Sequence, residues 1–278
     1  MNRILVVDDD RTTRLLLEDV LREEGFAVAE ADSAEAALER LAREKYDLML
    51  LDVWLPGMSG IDLLARLRDA AKRPRVVVMT SDDTPETILS AVREQAYLYV
   101  TKPVDPAAVL NAVRRALDAP AETAAIEVIS AKPEWVELLV PCSLDAGERV
   151  QRFLAHLDTG LPAEVCESVG QAFRELLVNA IEWGGQLDPT RKVRIAYLRT
   201  KRMLLYRIAD PGAGFDFRGL EHAAVANPAE EPFKHADVRE EKGIRPGGFG
   251  IVMARAMLDE LIYNEKQNEV VLIKYLDA

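Results

Sequence analysis

Residues 1–118 alternate five times between a short apolar run and an amphipathic stretch, and this alternation allows few folds. The amphipathic stretches carry apolar residues at helical spacing, as in Leu15, Leu16, Val20 and Leu21. Repeated strand–helix units imply a parallel sheet with helices on both faces. The sequence therefore predicts an α/β domain with a doubly wound, five-stranded parallel sheet. The runs predicted as its strands are Ile4–Val7, Ala27–Ala29, Leu48–Leu51, Val76–Met79 and Tyr97–Val100.

The pattern changes after residue 118. Residues 119–134 are rich in Ala, Pro and Glu, and they predict a linker. A second domain is expected over 135–278, since Trp135 opens a strand that two helices and a hairpin follow. Residues 211–248 are rich in Gly, Pro and charge without a period, which predicts a long functional loop. A helix over Phe249–Leu258 and a terminal hairpin then complete this domain.

Composition limits the function classes. The 278 residues carry a net charge of −12, shared between both predicted domains, whereas a nucleic-acid binder would show a basic face. No run of about 18 apolar residues occurs, so no membrane span is expected. The N-terminus turns acidic too early for a signal peptide. Cys142 and Cys166 lack metal-site spacing, which favours a reduced, cytoplasmic protein without structural zinc.

Polar residues follow four of the predicted parallel strands. Asp8 and Asp9 follow the first strand, Asp52 the third, Thr80 the fourth and Lys102 the fifth. Ligands of such sheets bind beyond the carboxyl ends of the strands, so these side chains should converge. Clustered carboxylates favour a divalent cation, and Mg²⁺ with phosphate oxygens suits this set.

These residue types suit phosphoryl transfer to a carboxylate. Asp52 would be the nucleophile, while Thr80 and Lys102 would hold phosphoryl oxygens. The alternative interpretation is that Asp8 to Asp10 only cap the first helix and that Lys102 is a surface lysine. Because all of these residues fall at the ends of predicted strands, the phosphoryl-transfer site is favoured over this alternative.

The segments ILVVDDD, LMLLDVWLPGMSG, VVVMTS and YLYVTKP resemble the motifs of bacterial response-regulator receiver domains. The resemblance covers residues 1–118 and implies a flavodoxin-like fold, an upstream sensor histidine kinase and a cis Lys102–Pro103 bond. Ser81 stands where the family often has Ala. Carried over, the functional residues are the Mg²⁺ ligands Asp8, Asp9 and Asp52, the phosphoacceptor Asp52, the switch residues Thr80 and Tyr99, and the phosphate-binding Lys102.

Three segments of the second domain carry a second set of candidate site residues. Glu175 and Asn179, in FRELLVNAIEWGG, are four residues apart on one helical face. DPGAGF begins with Asp210 directly after a strand, where glycines let a backbone approach a ligand. GGFG opens a helix whose N–H groups would attract phosphate. Each segment alone is weak, because DPGAG and GGFG are turns more often than nucleotide sites.

Together these segments resemble the Bergerat-fold ATPases shared by gyrase, the Hsp90 chaperone and histidine kinases. The tail GGFGIVMARAMLDELIYN resembles the anti-sigma-factor serine kinase branch. The resemblance implies a two-layer α/β sandwich with a mixed sheet, and it implies ATP and Mg²⁺. It makes Glu175 the general base, Asn179 the Mg²⁺ ligand and Asp210 the adenine reader. The glycines that would shape the pocket are Gly212, Gly214, Gly247, Gly248 and Gly250, with Lys242 or Arg245 near the terminal phosphate.

Two positions depart from this family. Trp183 stands where many members have His, and Val271 stands where many have a Thr that supports the adenine site. Both departures concern nucleotide affinity more than reaction type.

The expected function is a response regulator whose phosphorylation at Asp52 controls a serine/threonine kinase of the anti-sigma-factor type. Its partner would be a sigma factor or an anti-sigma-factor antagonist. Formation of a homodimer is a further option that the sequence does not decide. One alternative is a binding module that sequesters such a partner without catalysis. A hybrid histidine kinase is the other, but Leu157 follows His156 where that family needs an acidic residue.

Overall fold

We analysed the protein as a computed structural model. It describes residues 1–276 except 69, 71–72, 82–83, 120–123, 133, 159, 217–218, 221–222, 229, 232 and 244–247. The chain divides into two compact units, Met1–Thr123 and Ala124–Ala278. In the part of the chain that the structure describes, no helix is long and apolar enough to cross a membrane.

The first unit is a five-stranded parallel sheet in the order β2-β1-β3-β4-β5. This confirms the doubly wound fold that the alternating pattern predicts. The strands are β1 (Arg3–Val7), β2 (Ala27–Ala31), β3 (Leu48–Asp52), β4 (Arg75–Thr80) and β5 (Leu98–Thr101). The helices are α1 (Arg11–Glu23), α2 (Ala34–Arg43), α3 (Gly60–Leu67), α4 (Pro85–Arg93) and α5 (Pro106–Asp118).

Helices on both faces of this sheet create two apolar cores. Strand β3 is buried at all five of its residues, because it lies at the centre of the sheet between both cores. Met49 and Leu51 belong to one core, while Leu48 and Leu50 belong to the other. A continuous apolar run is what a strand covered on both faces requires.

The second unit is a six-stranded sheet in the order β10-β11-β9-β8-β7-β6, against which helices pack. Its strands are β6 (Glu127–Lys132), β7 (Trp135–Pro141), β8 (Lys192–Arg199), β9 (Met203–Ala209), β10 (Glu260–Tyr263) and β11 (Glu269–Tyr275). Its helices are α6 (Leu144–Leu157), α7 (Ala163–Asn179), α8 (Lys234–Glu241) and α9 (Gly250–Met257). A π-helical turn, Ala180–Gly184, follows α7 directly.

The prediction of a mixed sheet is wrong, because every described pairing in this sheet is antiparallel. Two helices in succession, α6 and α7, connect β7 to β8. A chain that reverses direction at α6, at α7 and again at β8 makes three reversals, so β8 runs opposite to β7. A single crossover helix would have made the two strands parallel.

Two further elements differ from the sequence-based expectation. Residues 127–132 of the predicted linker form β6, which pairs with β7 through an irregularity between Val128 and Ser130. The predicted loop over 211–248 contains a 3₁₀ turn, Ala224–Ala226, and helix α8. We call the residues 211–248 the lid segment.

Candidate phosphoacceptor and nucleotide sites

The parallel order of the first sheet brings its polar strand ends together. Asp8 follows β1, Asp52 ends β3 and Thr80 ends β4, and all three side chains are buried. Lys102 follows β5, and its N–H donates to the Thr80 carbonyl at 2.7 Å. The structure thus places these predicted residues at one edge of the sheet.

Lys102 joins the two buried carboxylates. Its Nζ lies 2.5 Å from Asp52 Oδ2 and 2.8 Å from Asp8 Oδ2. The peptide bond between Lys102 and Pro103 is cis, as the resemblance implies. The partly buried ammonium therefore balances two carboxylates that would otherwise repel each other in a site of low polarity.

The charged groups of this cluster shift the pKa values of one another. Burial raises the pKa of Asp8, although Lys102 opposes that shift. Burial alone would lower the pKa of Lys102, but its hydrogen bonds to Asp52 and Asp8 outweigh burial and raise it. Lys102 therefore stays a cation at neutral pH, as a ligand for phosphoryl oxygens must.

The carboxylates fit a divalent cation. One oxygen from each of Asp8, Asp9 and Asp52 lies within 4.8 Å of the other two. Asp10 caps α1 instead, since its side chain accepts from the Thr12 and Thr13 N–H groups. Helix capping thus explains Asp10 but not its two neighbours, and oxygen ligands at this spacing suit Mg²⁺.

Tyr99, predicted as the switch aromatic, lies on β5 and is half-buried against one of the two cores. Thr80 is 1% exposed at the end of the neighbouring strand. Thr80 therefore lies at the sheet edge where Asp52 is found, and Tyr99 lies two residues before the end of the neighbouring strand.

The second unit contains a cavity of about 420 Å³ that the three predicted segments line together. This volume is in the range of small-molecule sites. The predicted residues that line it are Glu175, Asn179, Asp210, Gly212, Gly214, Gly248 and Gly250, whereas Gly247 lies outside the described residues. Segments separated by more than 30 residues along the chain thus form one site.

Helix α9 begins against the acidic face of α7. A Cβ built on Gly250 would lie 2.8 Å from Glu175 Oε2 and 3.6 Å from Asn179 Nδ2. Among the residues that the structure describes, no side chain caps α9, and the first N–H groups of a helix can bind an anionic ligand. Glu175, Asn179 and an open helix N-terminus therefore share one end of the cavity.

Asp210, which also lines the cavity, is held by backbone contacts. Its Oδ1 accepts from the Gly212 N–H at 2.7 Å, and its own N–H donates to the Asn268 carbonyl at 2.9 Å. Burial raises the pKa of Asp210, opposed by that Gly212 contact and by Arg191. A part-buried carboxylate at a cavity wall can accept from an amino group such as that of adenine.

Gly184, which the sequence motifs did not indicate, makes the position of Asp210 possible. A Cβ on Gly184 would clash with Asp210 Oδ1. Gly184 ends the π-helical turn after α7, and such turns are frequent at functional sites. Its place in the glycine pair that ends FRELLVNAIEWGG, five residues after Asn179, was the available signal.

The structure shows where the two positions that depart from the ATPase family, Trp183 and Val271, lie relative to the cavity. Trp183 lines the cavity and is 50% exposed. Val271 is not among the lining residues, whereas its neighbours Glu269 and Val270 are. Tyr263 also lines the cavity, and burial raises the pKa of Tyr263 to about 12.

The lid segment contributes a residue that was not predicted. Arg239, on α8, lines the cavity and is 7% exposed. Lys242 is exposed at the end of that helix, and Arg245 lies outside the described residues. His156, considered for a hybrid kinase, is a half-buried residue at the end of α6, with Nδ1 2.9 Å from the Arg152 carbonyl oxygen.

Comparison with known proteins identifies both units. Residues 4–114 match the response regulator receiver domain, and residues 140–274 match the histidine kinase-like ATPase domain. The sensory/regulatory protein RpfC of Xanthomonas campestris is 35% identical over 113 residues. The response regulator protein FleR of Pseudomonas aeruginosa is 39% identical over 113 residues. These stretches span 39% and 41% of this chain, but only 16% and 24% of those proteins.

A longer match reaches beyond the first unit. The DNA-binding response regulator MtrA of Mycobacterium tuberculosis is 32% identical over 228 residues, which cover 80% of this chain and 96% of MtrA. Among solved structures, a CheY-like receiver domain protein from Methanospirillum hungatei is 30% identical with a TM-score of 0.41, covering 42% of this chain and 94% of that one. The chain belongs to the response regulator family, and it joins a receiver domain to a histidine kinase-like ATPase domain.

Proposed function

We propose that phosphorylation of Asp52 controls the second domain, and that this domain is an ATP-dependent serine/threonine kinase of the anti-sigma-factor type. The observation that carries the proposal is the cavity in which Glu175, Asn179, Asp210 and Gly250 meet. It combines an acceptor for adenine, an amide for the metal and a carboxylate for proton transfer.

In the receiver, Asp52 is the proposed phosphoacceptor. A carboxylate oxygen of Asp52 attacks the phosphorus of a phosphohistidine on an upstream sensor kinase. A P–O bond forms as the donor's P–N bond breaks, and the imidazole regains a proton. Lys102 stabilises the developing charge, because its Nζ already lies 2.5 Å from Asp52 Oδ2.

Both domains offer oxygen ligands for a metal ion. Asp8, Asp9 and Asp52 would hold Mg²⁺ in the receiver, and Asn179 would hold it beside ATP. Bound there, Mg²⁺ offsets the negative charge of the phosphoryl oxygens.

The residues that line the cavity support one orientation of ATP. The adenine amino group donates to Asp210, because Gly184 leaves that carboxylate accessible at the wall. The phosphates extend toward Gly248 and Gly250, where the N–H groups that open α9 are available. A guanine base would present an oxygen to the Asp210 carboxylate, so ATP is favoured over GTP.

Glu175 is the proposed general base. Its carboxylate takes the proton from a serine or threonine hydroxyl, whose oxygen attacks the γ-phosphorus of ATP. The bond between the γ-phosphorus and the bridging oxygen breaks, and ADP leaves. The protein that presents this hydroxyl is proposed to be an anti-sigma-factor antagonist.

A Glu175→Ala variant tests catalysis separately from binding. The kinase proposal expects ATP affinity to stay within about threefold and phosphate transfer to fall at least about 100-fold, since a base acts on the hydroxyl. Calorimetry with ATP and Mg²⁺ gives the affinity, and labelled γ-phosphate gives the transfer. Glu167→Gln, an exposed change on the same helix, is the control. ATP binding by the wild type without any transfer would instead favour a module that only sequesters its partner.

A further inference from the structure

The cavity of the second domain has an unbalanced set of charges. The carboxylates that line it are Glu175, Glu182, Asp210 and Glu269, of which Glu269 pairs with Arg207. Among the described lining residues, Arg239 is the single lysine or arginine. An anionic triphosphate in this cavity needs a compensating cation from the protein, in addition to its metal ion.

We propose that Arg239 binds a phosphate of the bound nucleotide from the lid segment. This inference rests on the function proposed above and assigns a residue that the sequence motifs did not indicate. Arg239 is 7% exposed, so its guanidinium is largely removed from bulk water. A guanidinium offers a planar fork of donors that matches phosphate, and such charged hydrogen bonds strengthen as water is excluded.

The lid segment is anchored in a way that keeps Arg239 at the cavity. Arg239 and His235 lie one helical turn apart on α8, and both are buried. The Asn227 amide donates to His235 Nδ1 at 2.6 Å, and Asn227 Oδ1 accepts from the His235 N–H at 3.1 Å. Burial, followed by the nearby charge of Arg239, lowers the pKa of His235, so the ring is a neutral acceptor.

The same anchor reaches the opening of α9. The His235 ring meets the Phe249 ring edge to face at 4.4 Å, directly before Gly250. The Ala224 N–H donates to the Gly248 carbonyl at 2.9 Å. The 3₁₀ turn of the lid segment therefore also contacts the residues just before α9. The lid segment therefore presents Arg239 to the cavity beside the glycines where the phosphates are expected.

The test compares ATP with adenosine, which share the base and ribose but differ in phosphate. Calorimetric titrations with Mg²⁺ would use the full chain as wild type, Arg239→Gln, Arg239→Lys and the control Arg202→Gln. Arg202 precedes β9, at the opposite end of that strand from Asp210.

We expect Arg239→Gln to weaken ATP binding about 10- to 100-fold, the range for one charged hydrogen-bond partner, and to change adenosine binding less than about threefold. Arg239→Lys keeps the positive charge but loses the planar set of N–H donors. Its ATP affinity should therefore lie between those of the wild type and Arg239→Gln. Arg202→Gln should match the wild type with both ligands.

Two results would overturn the assignment while the wild type binds ATP. One is an unchanged ATP affinity in Arg239→Gln. The other is an equal loss of affinity for ATP and for adenosine, which would mean that Arg239 supports the cavity wall and does not bind phosphate. If Arg239→Gln does not fold, Arg239→Lys decides by the same comparison of ligands. A wild type that binds neither ligand would overturn the proposed function, and this inference with it.

Discussion

Gly250 and Glu175 lie so close that a Cβ built on Gly250 would be 2.8 Å from Glu175 Oε2. The two residues are 75 positions apart in the sequence. This contact joins the start of α9 to the helix that carries the proposed base and metal ligand. The absence of a side chain at position 250 is therefore a condition for the shape of the site.

Gly250→Ala should displace the Glu175 carboxylate, because real Cβ atoms do not approach other atoms this closely. We expect phosphate transfer to fall at least about tenfold, since small displacements of a reacting group have large effects, while ATP affinity changes less than about threefold. Labelled γ-phosphate measures the transfer, and calorimetry measures the affinity.

The matched control is Gly170→Ala on α7, where a Cβ meets nothing within 4 Å. Gly170→Ala should stabilise the fold by about 0.5–1 kcal/mol and leave ATP binding and phosphate transfer unchanged. Normal phosphate transfer in Gly250→Ala would contradict this view of the contact.

The receiver could be predicted from the sequence because its signals are local. Asp8, Asp52 and Thr80 each directly follow or end an apolar run, so the rule for parallel sheets brings them to one edge. The clustering of Lys102 with Asp8 and Asp52 follows from the same rule.

Other parts could not be predicted from apolar periodicity. Helix α8 buries His235 and Arg239, which are polar, so no apolar pattern reveals its inner face. Strand β6 is an edge strand without a fully buried residue, and its composition resembles that of a linker.

Lys102→Gln should destabilise the receiver by about 2–3 kcal/mol without metal, because it leaves two buried carboxylates without their partner. Saturating Mg²⁺ should restore part of this loss by replacing the missing charge. Hydrogen-exchange protection of β3 gives the change in stability. The exposed change Lys45→Gln should have no such effect, and equal protection in both variants would argue against a balancing role for Lys102.

Asp52→Asn should abolish phosphorylation of the receiver by acetyl phosphate with Mg²⁺. The wild type should gain one acid-stable, base-labile phosphate, detected by intact-protein mass spectrometry. Asp19→Asn, an exposed change on α1, should behave as wild type. Retention of the phosphate in Asp52→Asn would place the acceptor elsewhere.

Asp158 should make the stability of the second unit depend on pH. It is 4% exposed, and its carboxylate accepts from the Tyr197 and Tyr206 hydroxyls at 3.0 and 2.8 Å. Burial raises the pKa of Asp158 above its ordinary value of 3.8, outweighing these hydrogen bonds. The folded state therefore holds the proton more tightly than the unfolded state.

The contribution of Asp158 is then fully present below pH 3.8 and declines as the pH rises through its raised pKa. Thermal melts across this range should show that decline in the wild type. Asp158→Asn removes the titration, so its stability should change less with pH, although the lost acceptor costs about 1–3 kcal/mol at low pH. An identical pH profile in both proteins would mean that Asp158 does not set it.

Phosphorylation of Asp52 is proposed to change how tightly the second domain binds ATP. A calorimetric titration of the full chain with ATP and Mg²⁺, with and without beryllofluoride as the phosphate mimic, measures this change. We expect one ATP per chain and dissociation constants that differ about 5- to 150-fold between the two states, as a coupling of about 1–3 kcal/mol gives. Asp52→Asn should show no such difference. No ATP binding by the wild type, or equal constants with the mimic bound at Asp52, would mean that Asp52 does not control the second domain in this way.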